Sequence, residues 1–256
     1  MNVIRVGRLL PGGVLVDEGQ HRPMKGMALL PTEAQGHEEK IVFAKEITSR
    51  SVSVEITCAI LGRLLSLPIP EPVLLIDEHN KVFFGSVDAD YPSFTQYIEN
   101  SSDQGVSNAL AAWPLLNKAS YFDELIAMDD RHNGNLLYNG EDFILIDHES
   151  AIPSGLSPTM HGIEHYSNQL LQVATHILDK NNDIAVQMMA NEARSWSVTC
   201  KNESMPMLDS EIENVVTGKE KNHLLSFLSK RIDLLGDILY EQIKPQQTQM
   251  IYDAKS

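Results

Sequence analysis

The sequence predicts an α+β fold, with short strands and one helix over residues 1–90 and mainly helices over 91–256; its length suits one larger domain or two lobes, a small N-lobe of antiparallel sheet and a mainly helical C-lobe. Three observations carry the α+β reading. Short apolar segments bounded by turn residues crowd the first lobe. Apolar residues at helical spacing dominate beyond residue 166. Between the two lie a polar loop, a hairpin signal and an aspartate in close succession. No repeat, low-complexity tract or long linker intervenes, so the lobes are expected to fold as one unit.

In chain order, Val14, Leu15 and Val16 and the run 27–30 predict paired strands around a turn at 17–23. The run 40–45 predicts a strand ending in Lys45, with the small Ala44 beside it. A helix follows: Thr48 and Ser49 are good N-cap types, and Val52, Ile56, Ile60, Leu61, Leu64 and Leu65 recur at helical spacing, with Glu55 the acidic residue inside. Pro68, Pro70 and Pro72 stop it ahead of a strand at 73–76. A strand at 81–87 then leads to Asp88, Ala89, Asp90 and Tyr91, where the lobes are expected to join.

In the second lobe, 125–128 predicts a helix end, and 136–138 and 143–146 predict strands around the turn Asn139-Gly140. Asp130-Arg131-His132-Asn133-Gly134-Asn135 precedes this hairpin, and Asp147 follows it. Next come His148 and a loop at 152–163 with two prolines and two glycines, where an acceptor could dock. Helical spacing at 166–178, 184–196 and 224–239 predicts scaffold.

An aspartate, an asparagine five residues on and an aspartate closing a short strand are the groups that Mg²⁺-ATP phosphoryl transfer needs. Mg²⁺ is a hard cation that takes oxygen ligands, which makes Asn135 and Asp147 the metal candidates. Asp130 is expected to orient the attacking hydroxyl and accept its proton, with His132 sharing that task or holding the transferred phosphate.

D-R-H-N-G-N followed by L-I-D-H resembles the HipA-like kinases and, more distantly, the phosphoinositide kinases. The resemblance implies a two-lobed protein-kinase-like fold, ATP and Mg²⁺ as cofactors, and transfer of the γ-phosphate to a hydroxyl, Ser or Thr of a protein. It further implies Lys45 as phosphate lysine, Glu55 as its ion-pair partner and Ala44 as room for the adenine. The phosphate-covering turn then falls at Gly19, Gln20 and His21, and the adenine-binding backbone near Asp88 and Asp90. Some HipA-like kinases silence themselves by phosphorylating a serine in that turn. No Ser or Thr lies between Met1 and Pro31 here, which removes that route.

Two other readings use the same residues. A small-molecule phosphotransferase of the aminoglycoside type would suit an acidic surface, but its loop usually places the aspartate after the histidine. A nucleotide-binding pseudokinase or interaction module has no need for Lys45, Asp130, Asn135 and Asp147 together. The net charge of −15 weighs against nucleic acid and anionic membrane as partners. A protein or small-molecule hydroxyl acceptor is expected instead, with an antitoxin or companion protein if the family role holds. Cys58 and Cys200 are expected to be buried thiols, and His161, His165 and His176 lack an H-E-x-x-H zinc pattern. The short apolar run at the N-terminus fits neither a signal peptide nor a span, so a cytoplasmic protein is expected.

Overall fold

Side-chain alternation organises the N-lobe in the computed structural model, which describes residues 4–16, 22–101, 105–178 and 182–243. Its strands are β1 (Arg5–Leu9), β2 (Val14–Leu15), β3 (Met24–Pro31) and β4 (His37–Lys45), then helix α1 (Ser49–Leu64), then β5 (Pro72–Ile76) and β6 (Val82–Val87). The order β1-β5-β6-β4-β3 returns to β1 through a β1–β3 pairing, so five strands close into a barrel and β2 adds outside β3. β1 runs parallel to β5, with Arg5 opposite Val73, and antiparallel to β3.

The expected plain antiparallel sheet is therefore corrected. The segment before residue 10, read only as a short apolar run, supplies the strand that joins both edges, and closure removes unpaired strand edges. Leu9, Ala28, Leu30, Val42, Ala44, Val73, Leu75 and Phe83 fill the interior as a core of their own. With a period of two, Val42 and Ala44 point inward, while Phe43 and Lys45 on the other face of β4 border a cleft.

Helix α1 begins where Thr48 accepts the Ser51 N–H at 3.1 Å. Every residue from Val54 to Gly62 is buried, so this helix is covered on all sides rather than along one stripe. Its apolar side chains belong to the large core of the second lobe, not to the barrel core.

The second lobe holds α2 (Phe94–Asn100), α3 (Ala109–Ala112), α4 (Leu116–Leu125), the hairpin β7 (Leu136–Tyr138) and β8 (Phe143–Leu145), and α5 (Gly162–His165). After these come α6 (Gln169–His176), α7 (Asp183–Thr199), α8 (Met205–Ile212) and α9 (Gly218–Ile243), with a π turn at Cys200–Ser204 between α7 and α8. The expected helix at 166–178 begins later because Asn168 caps it, accepting the Leu171 N–H at 3.0 Å. Among the described residues no helix is long and apolar enough to cross a membrane.

One cation organises the far side of this lobe. Arg231 of α9 is fully buried; its Nε donates to the Glu124 carbonyl at 2.9 Å, Nη1 to the carbonyls of Pro158 and Met160, and Nη2 to Glu124 and the Tyr166 hydroxyl. Glu124 also accepts from the Asn168 amide at 3.0 Å and from the Tyr166 hydroxyl. Removing one partner of a buried pair strands the other's charge, at a cost of about 3–5 kcal/mol. Arg231→Leu should therefore destabilise the protein by about that amount in denaturant unfolding, with faster proteolysis around Pro158 to Tyr166; a change under about 1 kcal/mol would contradict this account.

Candidate active site

A cleft of about 490 Å³ opens between the barrel and the helical lobe. Ala59, Ile69, Phe84, Leu137 and Leu145 form apolar wall, while Lys45, Glu55, Asn135 and Asp147 bring polar and charged groups to the same space. The hairpin that carries two of them is pinned across the lobes by the Leu145 N–H, which donates to the Pro68 carbonyl at 2.8 Å, and to the start of the second lobe by the Tyr138 N–H, which donates to Pro92 at 3.1 Å.

Lys45 stands at the end of β4 with its Nζ 2.7 Å from Asp147 Oδ1 and 3.5 Å from Glu55 Oε1. Burial works against charge on this lysine, but the Glu55 and Asp147 carboxylates outweigh it and hold the ammonium above its ordinary value. Glu55, 1% exposed, reaches from α1 to accept the His148 backbone N–H at 2.9 Å, and its Oε2 lies 3.5 Å from His148 Nδ1. Burial opposes its ionisation too, yet the His148 hydrogen bond and the nearby Lys45 bring its carboxyl down to about 2. Oxygens of Glu55, Asp147 and Glu149 lie within 4.8 Å of one another, a group able to hold a cation.

The loop ahead of β7 is shaped from beneath by Arg131, a residue the sequence reading left without a role. Its Nε and Nη2 each donate at 3.1 Å to the two carboxylate oxygens of Asp123 on α4, both side chains fully buried, and its Nη1 donates to the Ile146 and Asn135 carbonyls. This fork ties α4, the loop and the residue before Asp147 into one unit. Above it, Asn135 is buried and donates its Nδ2 to the Asp130 carbonyl at 2.7 Å, which leaves Oδ1 as the end suited to a cation. Asp130 and His132 are half exposed and stand outside the enclosed part of the cleft. His132 Nδ1 accepts the Gly134 N–H at 3.0 Å, and its Nε2 lies 3.7 Å from Asp130 Oδ1.

One expected position falls elsewhere. Ala44 faces the barrel interior and not the cleft, because it alternates with Lys45; Phe43 is the neighbour that borders the site. Asp88 and Asp90 do line the cleft, but the Asp88 N–H is given to the Ile41 carbonyl at 2.9 Å and the Asp90 N–H to Asp88 Oδ1 at 2.8 Å, so neither amide is available to a base. The Asp88 carboxylate pairs instead with Lys25 of β3 at 2.6 Å. Gly19, Gln20 and His21 lie outside the described residues.

His148 gives this site a pH signature. Burial lowers its pKa below the ordinary 6.5, with Glu55 pulling the other way but not prevailing. Folded and unfolded chains both keep it neutral above that value. As the pH falls below it, the unfolded histidine takes a proton that the folded one resists, so stability is lost on acidification, by at most about 1.4 kcal/mol per pH unit. The thermal midpoint of the ligand-free protein should drop between pH 7.5 and 5.5, and His148→Gln should shrink that drop by about 2–4 °C. An equal drop in the variant would rule the histidine out. Glu55 acts in a separate window, its contribution fading as the pH falls from 4.5 towards about 2.

No protein-family model matches the chain, and no curated protein matches it. Its structure resembles that of the Helicobacter pylori proinflammatory kinase CtkA, with a TM-score of 0.53 at 13% identity over 93% of this chain and 96% of that one. It also resembles an N-terminal 618-residue fragment of LepB from Legionella pneumophila, with a TM-score of 0.50 at 14% identity over 84% of this chain and 46% of the fragment. At these identities the likeness concerns the fold: this chain has a kinase-like fold.

Proposed function

We propose that the protein is an ATP-dependent kinase that transfers the γ-phosphate to a hydroxyl. The observation that carries this is the convergence of Lys45, Glu55 and Asp147, with contacts at 2.7 and 3.5 Å, in a cleft that Asn135 also lines. The residues present fit Mg²⁺-ATP: an apolar wall suits a purine, a buried ammonium suits phosphate, and the side-chain oxygens of Asp147 and Asn135 in the same cleft suit a hard cation. Bound there, Mg²⁺-ATP supplies the phosphoryl group and the charge that offsets it.

The chain's own residues divide the remaining work. Lys45 holds phosphate oxygens, and Glu55 fixes where its ammonium points. Asn135 and Asp147 present oxygen ligands, both anchored on the backbone that Arg131 braces. Asp130, half exposed beside the cleft, orients the acceptor hydroxyl and takes its proton. His132, next to it, steadies that carboxylate. The resemblance of D-R-H-N-G-N and L-I-D-H to HipA-like kinases extends the proposal to Ser or Thr of a protein as acceptor, in the cytoplasm, with a companion protein as regulator.

The test is ATP consumption with Mg²⁺ and intact mass before and after, for the wild type and two variants. Asp130→Asn should lower transfer by about 10²–10⁴-fold while Mg²⁺-ATP binding survives. Asp147→Asn should weaken binding as well. Wild-type protein that binds no nucleotide would overturn the reading; binding without turnover in every protein tested would favour a pseudokinase.

A further inference from the structure

We propose that Arg50 is a positioning residue, which holds Glu55 and through it Lys45 by fastening the first turn of α1 to two separate parts of the second lobe. The proposal rests on the kinase reading above.

Local sequence gives Arg50 no reason to be where it is. It is the second residue of α1, whose first turn contains no acidic side chain, and a cation at a helix N-terminus opposes the helix dipole. Its partners come from far along the chain. Nη1 pairs with Glu220 Oε1, 170 residues away, and Nη2 donates to the Ile152 carbonyl at 2.8 Å, 102 residues away. Glu220 lies in the first turn of α9, where an acid complements the dipole, so the pair relieves at one helix start what is unfavourable at the other.

Ile152 makes this contact informative. It is fully buried with φ of 48°, a left-handed conformation that a β-branched residue avoids. Its N–H donates to the Ile126 carbonyl at 2.8 Å, just ahead of the Asp130 loop, and its carbonyl is taken by Arg50. The guanidinium therefore joins α1 to the stretch between Asp147 and the 153–163 segment. Glu55 stands on the same helix, about 7.5 Å along the axis at 1.5 Å per residue, and is bonded to the His148 N–H of that stretch. Two ties, Arg50 to Ile152 and Glu55 to His148, thus join α1 to the same five residues, 148–152. Since α1 shares the core of the second lobe, a loosened first turn lets the helix shift against that lobe, and Glu55 shifts with it.

The experiment compares wild type, Arg50→Ala, Arg50→Lys and the isosteric Glu220→Gln by kcat and KM for ATP, by thermal midpoint, and by hydrogen exchange over residues 49–56 and 147–153. Arg50→Ala should lower kcat by about 10–100-fold, as expected for a displaced phosphate-binding group, well below its melting temperature, and should speed exchange in both segments together. Arg50→Lys, with one compact charge for two acceptors, should fall between, and Glu220→Gln should lower kcat less because the Ile152 tie remains. Lost thermal stability with unchanged kcat in Arg50→Ala would make the residue structural and overturn the proposal. So would faster exchange in one segment alone. Wild type that neither binds nor turns over ATP would instead sink the kinase reading, and the exchange data would then decide the coupling by themselves.

Discussion

The buried carboxylate of Glu55 is the group on which the arrangement depends. It is 1% exposed, yet it meets Lys45 from the barrel on one side and His148 from the second lobe on the other. A carboxylate taken from water at that depth is costly unless charge and hydrogen bonds replace its hydration. Both are supplied here by different lobes, so neither lobe can move far without leaving a charge unpaired. Lys45 and the residues after Asp147 are linked through one side chain, and α1 is the rod that carries it.

A second constraint sits at the end of α4. Asp123 and Glu124 are consecutive and both fully buried, and each is claimed by a different arginine. Arg131 takes Asp123 and braces the loop with Asp130 and Asn135; Arg231 takes Glu124 and holds the carbonyls of Pro158 and Met160. Adjacent residues on a helix point about 100° apart, so one helix end serves two loops in two directions. Fork-shaped guanidinium groups suit this role because their five donors, spread in a fixed plane, reach a carboxylate on one edge and loop carbonyls on another, whereas an ammonium donates from a single point.

What could be read beforehand was what lies close in sequence. The loop at 130–135, the hairpin and Asp147 fall within eighteen residues, and Lys45 and Glu55 within eleven, so local pattern sufficed to nominate them. Partners separated by 66 to 170 residues left no such trace: Arg50 with Glu220, Arg231 with Glu124, Arg5 with Glu71. A weaker signal existed and was passed over, since Asp123 and Glu124 interrupt the otherwise apolar stretch from Tyr121 to Met128, where buried acids need partners. Ala44 was misplaced against a legible rule, because alternation alone puts it on the face opposite Lys45. Barrel closure was not legible at all, since the β1–β5 pairing joins strands 68 residues apart at Arg5 and Val73.

Three residues with left-handed backbone sit where these ties end. Ala127, Asp147 and Ile152 all have positive φ, at 50°, 60° and 48°, and they flank the loop and the strand that carry the site. Left-handed conformations of such residues persist only where surrounding bonds over-determine them, at a cost of about 1–3 kcal/mol each. Those bonds can be named: Met128 N–H to the Asp123 carbonyl at 2.8 Å fixes the turn after Ala127, Lys45 and the His148 N–H bond bracket Asp147, and Ile126 with Arg50 grips Ile152. The turn at Asp147 also aims its carboxylate at Lys45 while the next N–H serves Glu55. In a relaxed strand the side chain stands out of the sheet while the backbone N–H lies in its plane, so the left-handed turn is what brings the Asp147 carboxylate and the His148 N–H to the paired charges of Lys45 and Glu55.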